Sequence, residues 1–306
     1  MIPSPTNSEK KIKKHMKNIF RNIAAATLVI TGLFAGKAVA QQPTSQDKSL
    51  LWEVSGNGLS KPSYLYGTIH MICENDFKVT EKTKQALSKS AQLVIEANIL
   101  DPNINTIMAK AMASDVPLSK KLSPADYHDV DSILKSKCGV PLAPFENYQL
   151  VATISLLAMK SFPCQELKSY ETTFIQTMQA DKKHVDYLEG LEEQVGYLLK
   201  SYTDKQIVEQ VKAFDSSSIN MNKLVAAYKA EELSTMYNLM TTPDQMDENA
   251  IHWMLEVRNK NWVDKMPGMM QQESTFFAVG GAHLAGPIGL IKLLREKGYT
   301  VTPILN

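Results

Sequence analysis

Apolar residues change their spacing twice along this chain. Leu50–Val54 and Ser63–Thr68 are short β-prone runs, and Gly56-Asn57-Gly58 between them is a strong hairpin signal. Val79–Ser90 is rich in lysine and free of glycine and proline, which predicts an exposed helix. Leu93-Val94-Ile95 follows as an unbroken apolar run, the pattern of a strand buried on both faces. From about 101 to 265 the spacing becomes helical. Ser123-Pro124 supplies an N-cap followed by proline at the first helical position. Glu146–Met159 carries an apolar stripe at Leu150, Ile154, Leu157 and Ala158, and only Val185–Leu188 interrupts the helices as a strand. The end of the chain returns to mixed structure. Thr275–Val279 and Thr300–Ile304 read as strands, and Ile288–Lys297 reads as a helix stopped by Gly298.

Strands at both ends with helices between them predict an α/β (α+β) domain. Its central β-sheet takes strands from both ends of the chain, and its large helical middle region, about 101–265, is a candidate subdomain.

Composition alters this picture at the N-terminus. The 306 residues hold 33 Lys and Arg against 32 Asp and Glu, a globular and nearly neutral balance that shows no basic excess for nucleic acid. The balance is uneven, because residues 1–40 carry seven bases and one acid, while residues 41–306 carry 26 bases and 31 acids. The bases at Lys10, Lys11, Lys13, Lys14, Lys17 and Arg21 precede an apolar run from Ile23 to Phe34, and Ala38-Val39-Ala40 then precedes Gln41. That order predicts a secretory signal peptide over 1–40, cleaved near Ala40, with an uncleaved N-terminal anchor as the alternative. Residues 41–306 then form an exported protein, periplasmic or extracellular, with no membrane span of its own.

Export permits disulfides, and the three cysteines after Ala40 are Cys73, Cys138 and Cys164. All three pairings are open. Cys138 with Cys164 is favoured, because both stand at predicted helix–loop boundaries.

The candidate chemistry begins with an echo. Gly67-Thr68-Ile69-His70 ends the second predicted strand, and Gly280-Gly281-Ala282-His283 ends the strand Thr275–Val279. Both set an imidazole just beyond a strand's carboxyl end, where α/β folds collect ligands. Glu96 ends the strand Leu93-Val94-Ile95 in the same way. Two imidazoles and a carboxylate suit a divalent metal with open positions. On spacing alone, two structural histidines fit equally well. Arg258 adds a separate argument, for Arg258 and Arg295 are the only arginines among the 26 bases after residue 40. Ile251, Leu255, Arg258 and Trp262 form one stripe, which places the guanidinium within the apolar arc of an Asp247–Trp262 helix. A guanidinium there needs a carboxylate or another acceptor, in a functional site or in a structural Arg–Glu pair alike.

With these segments in view, the chain resembles the TraB/GumN family, which is related to the animal Tiki metalloproteases. The resemblance rests on Leu51-Trp52-Glu53-Val54, Tyr64-Leu65-Tyr66-Gly67-Thr68-Ile69-His70, Leu93-Val94-Ile95-Glu96, Leu188-Glu189-Gly190 with Gln194, Arg258-Asn259, and Phe276–Leu284 with its Gly280-Gly281-Ala282-His283. It implies a metal-dependent hydrolase acting on a peptide or protein substrate. His70, His283 and Glu96 become metal ligands, for Mn, Co or Zn. Glu96, Arg258, Asn259 and Glu189 become catalytic residues, and Gly67, Gly280 and Gly281 line the cofactor site. Two positions depart from the family pattern: Asn98 stands where many relatives have Asp, and Tyr170-Glu171 stands where Gly-x-Asp is common. The same resemblance extends to a haem- or ligand-binding protein and to a catalytically inactive interaction protein.

Overall fold

The computed structural model describes residues 48–243 and 246–306, without the side chains of residues 216–220. The segment read as an export signal lies outside the described residues. Among the described residues eight strands are formed: β1 (Leu51–Ser55), β2 (Ser63–Thr68), β3 (Met71–Cys73), β4 (Gln92–Ala97), β5 (Leu167–Ser169), β6 (His184–Glu189), β7 (Thr275–Gly280) and β8 (Thr300–Pro303). Six of them make a mixed sheet in the order β6-β4-β7-β2-β1-β8, and β3 pairs with β5 apart from it.

β6, β4, β7 and β2 run parallel. β1 is antiparallel to both β2 and β8. The β1–β2 hairpin forms as its turn sequence requires, with Gly56, Asn57 and Gly58 all at positive φ. β2, β4 and β7 are buried along their whole length, and for β4 this is why Leu93-Val94-Ile95 reads as an unbroken apolar run rather than an alternation. The parallel strands end on one side of the sheet and point four chain segments at the same place.

The helices follow the pattern with two adjustments. The stripe over Glu146–Met159 becomes the helix Ala152–Lys160, whose residues 152–158 are all buried. Residues 146–151 instead tie neighbouring segments together: Glu146 accepts the Ser119 N–H at 3.0 Å, and the Gln149 N–H reaches the Met112 carbonyl at 2.8 Å. The helix expected over Asp247–Trp262 begins at Glu248, widens into a π-helical turn at His252–Glu256, and continues as an α-helix from Val257 to Gln272. Buried side chains fall into two clusters, one around the sheet and one among the helices that carry Met108, Leu134, Phe145 and Leu198.

The favoured cysteine pairing is overturned. Cys73 bonds to Cys164 with their Cα atoms 5.9 Å apart, and Cys138 is the free thiol. A shared place at helix–loop boundaries pointed to Cys138, but that residue closes the Pro124–Cys138 helix and packs with the helical cluster. Pairing of β3 with β5 sets Cys73 opposite Leu167, three residues beyond Cys164. The bond spans 91 residues, which stabilises the fold by roughly 4–5 kcal/mol in the chain-entropy account.

Candidate active site

His70 follows β2, Glu96 and Glu189 lie at the ends of β4 and β6, and Gly281–His283 forms a single 3-10 turn after β7. Arg258 and Asn259 come from the helix Val257–Gln272, with the π-helical turn just before them. Every one of these side chains is buried. The two Gly-x-x-His turns touch each other: a Cβ at Gly67 would stand 3.1 Å from Gly281 Cα, so glycine is what lets the backbones approach.

His283 has a defined tautomer. Asn259 Nδ2 donates to the carbonyls of His283 (3.2 Å) and Ile288 (2.7 Å), which fixes the amide's orientation. Asn259 Oδ1 must then accept from His283 Nδ1, at 2.6 Å, leaving the Nε2 lone pair to meet Arg258 Nη1 at 3.1 Å. Burial, the Arg258 charge and His70 all oppose protonation, so the His283 pKa lies well below the ordinary imidazole value.

His70 is held differently. Its backbone is left-handed, at φ 57°, a conformation that costs a non-glycine residue about 1–2 kcal/mol. The Thr68 hydroxyl accepts its N–H at 3.3 Å and donates to Glu171 Oε1 at 2.6 Å. His70 Nδ1 meets that same oxygen at 2.7 Å, and Ser169 Oγ donates to Glu171 Oε2 at 3.1 Å. Burial disfavours the His70 imidazolium, yet the charge and hydrogen bond of Glu171, with Glu96 behind them, outweigh it and raise the pKa. Burial likewise opposes ionisation of Glu171, and His70 with Thr68 reverses it, holding that carboxyl below the usual range.

Arg258 joins the remaining groups. Nε and Nη2 donate to Glu189 Oε1 at 3.0 and 2.6 Å, and Nη2 also donates to Glu96 Oε2 at 2.6 Å. Nη1 is shared between His283 and the Met254 carbonyl at 3.2 Å. All five N–H groups are committed within the protein, so Arg258 positions the carboxylates and has no donor left for a substrate. Trp262 Nε1 and Gln194 Nε2 complete the donors around Glu189, at 3.0 and 3.1 Å. Burial pushes the Glu189 pKa up against the pull of Arg258. Four N–H donors on its two oxygens mark it as a carboxylate all the same.

The three residues singled out as ligands meet at one atom. Glu96 Oε1 accepts the Gly280 N–H at 2.7 Å and lies 3.7 Å from His70 Nε2 and 3.9 Å from His283 Nε2. Among the described residues no three His, Cys, Asp or Glu side chains already stand as a metal-holding group. Space for an ion does exist. A Cβ at Gly280 would fall 2.8 Å from His70 Nε2 and 3.3 Å from Glu96 Oε1, so the missing side chain leaves the front of both atoms open.

Glu96, Glu189, Arg258, Asn259, His70, His283, Gly67, Gly280 and Gly281 are therefore brought together. Asn98 is not among them; it turns away to accept the Leu100 N–H. Glu171 and Thr68 were missed as partners of His70. The one available signal was an acidic residue two positions after the Ser169 N-cap, and its meaning depends on β3–β5 pairing, where the Tyr170 N–H donates to the His70 carbonyl. His128, His184 and His252 are exposed.

The sequence pattern of the TraB/PrgY/gumN family matches residues 50–303, and the chain belongs to that family. Among curated proteins it is similar to metalloprotease TIKI1 of Danio rerio, with 22% identity over 85% of this chain. The match covers 64% of that protein, so the chain spans less than two thirds of its relative's length. No solved structure matches.

Proposed function

We propose that the chain is an exported, metal-dependent peptidase whose centre is His70, Glu96 and His283. One observation carries this reading: each imidazole has its Nδ1 tied to an outer partner and its Nε2 turned toward the same Glu96 oxygen. An outer hydrogen bond that fixes the tautomer is how histidine ligands are held in metal sites. Charge supports it as well. Glu96, Glu171 and Glu189 are three buried acidic residues beside the single guanidinium of Arg258, and a bound cation would take the place of the proton that Glu171 draws to His70. The similarity to TIKI1 supports hydrolysis of a peptide bond.

His70 Nε2, His283 Nε2 and Glu96 Oε1 would hold the ion, with Arg258 Nη1 giving up its contact to His283 Nε2 and keeping the one to the Met254 carbonyl. Bound there, Mn, Co or Zn supplies Lewis-acid polarisation of a carbonyl and a more acidic water. Glu171 and Asn259 keep the imidazoles in the ligating tautomer. Arg258, itself fixed by Glu189, which Trp262 and Gln194 hold in place, keeps Glu96 oriented. Export is supported by the basic–apolar–small order of residues 1–40 and by the Cys73–Cys164 bond, which suits an oxidising compartment. Among the described residues no helix is long and apolar enough to cross a membrane.

The test is metal content and peptide hydrolysis of the purified protein beside His70→Ala and His283→Ala. Stoichiometric metal in the wild type, lost with hydrolysis in both variants, is expected. Unchanged metal binding in both variants sinks the assignment, and a Soret band in place of a divalent ion favours the haem-binding reading. N-terminal sequencing of secreted protein should begin near Gln41.

A further inference from the structure

Fifteen methionines are scattered along the sequence, and their positions carry no pattern. Folding gathers four of them. Met236, Met240, Met246 and Met254, with Leu224 and Leu255, line a cleft whose inner wall is the Gly280–His283 turn and His70. The closed part of the cleft is small and its mouth opens to solvent, so a bulky guest enters by moving the methionine side chains that line it. Arg258 is the only permanently charged residue in the lining, and its N–H groups are already spent on Glu96, Glu189, His283 and Met254. A charged side chain entering the cleft would be desolvated without a partner, whereas an apolar one would gain.

Methionine walls add a second property. The side chain is unbranched, polarisable and turns about three bonds, so it re-packs around guests of different shape. The floor is close-fitted: a Cβ at Gly281 would lie 2.8 Å from the Met236 methyl. Met240, at the rim, is half-buried.

We propose that this cleft is the specificity pocket of the site, taking a bulky apolar side chain such as Leu, Met or Phe from an extended peptide, beside the bond presented to His70 and His283. The proposal rests on the peptidase reading for the role of its occupant, but its binding arm is independent of hydrolysis.

Fluorescein-labelled peptides of one length, differing only in Leu, Phe, Lys or Asp at a central position, are titrated into wild type, Met240→Lys and Met240→Gln. Anisotropy reads binding, and cleavage is followed with Mn²⁺, Co²⁺ or Zn²⁺ added. Wild type should bind the Leu and Phe peptides at least tenfold more tightly than the Lys and Asp peptides. Met240→Lys should lose that margin and gain affinity for Asp; Met240→Gln, milder for folding, should narrow it. Thermal unfolding checks that each variant is folded. Equal wild-type affinity for all four peptides overturns the pocket, even if they are cleaved. A margin that persists in both folded variants overturns it too. Discrimination without cleavage keeps the pocket and removes the peptidase reading.

Discussion

The two Gly-x-x-His turns are nearly interchangeable as text and different as chemistry. In the first, His70 sits in a left-handed backbone conformation and leans on a carboxylate, Glu171, which draws a proton toward the ring. In the second, His283 ends a 3-10 turn, leans on a neutral amide, Asn259, faces the Arg258 cation, and has its ring 4.4 Å from that of Trp262. One imidazole is primed to be charged and the other is kept neutral. A motif fixes where a ring goes; the group behind the ring fixes what it does.

The largest expected effect tests the second turn. Arg258→Met leaves Glu96 and Glu189 buried without their counter-charge, a change that costs about 3–5 kcal/mol. Urea unfolding should show that loss, and a near-neutral result would mean that the carboxylates find other partners. The first turn has its own tether. Cys73 lies three residues after His70, and Cys164 precedes Glu171 by seven. Cys73→Ala with Cys164→Ala should cost ~2–4 kcal/mol in unfolding measurements, below the chain-entropy figure because residual structure in the unfolded chain reduces it. In NMR spectra the double variant should disturb His70 more than His283, and an equal disturbance of both would erase the distinction.

Glu171→Gln is the sharper and smaller probe. Losing an adjacent carboxylate should lower the His70 pKa by ~1–3 units in an NMR titration of metal-free protein and leave His283 neutral. Linkage supplies the sign. His70, raised above 6.5, stabilises the fold fully below that pH, and the gain is lost as pH rises through its folded pKa. His283, depressed below 6.5, costs nothing above that pH and destabilises as pH falls below it. The two rings together place a stability maximum near pH 6.5, and Glu171→Gln should flatten its alkaline side alone. Smallest of all is Cys138, which touches neither turn. Burial pushes its thiol to about 11, so on the order of one in a thousand is ionised at pH 8. Iodoacetamide should label the native protein slowly and the unfolded, unreduced protein at one site; three labelled sites would contradict the Cys73–Cys164 bond.

Much of this site was legible before folding because its residues follow apolar runs that can only be buried strands. Gly67–His70, Glu96 and Gly280–His283 each stand where such a run stops, and Arg258 drew attention as a rare arginine within an apolar stripe. Glu171 was not legible as a partner, since its position depends on β3 and β5, each three residues long and too short for any periodicity. The same short pairing hid the disulfide. The π-helical turn at His252–Glu256 escaped too, because sequence spacing alone does not distinguish a widened turn from an α-helical one.

The parallel pairing of β2 with β7 also has a temporal side. Gly67 lies beside Val279, 212 residues later, and closing so long a loop costs roughly 5 kcal/mol before any contact returns it. A nascent chain that has finished the helix Val257–Gln272 holds His70, Glu96, Glu171, Glu189 and Arg258 but has no second turn to set against the first. Such contact order makes for slow folding. Competence therefore comes to this protein late and all at once, with the arrival of its final strands.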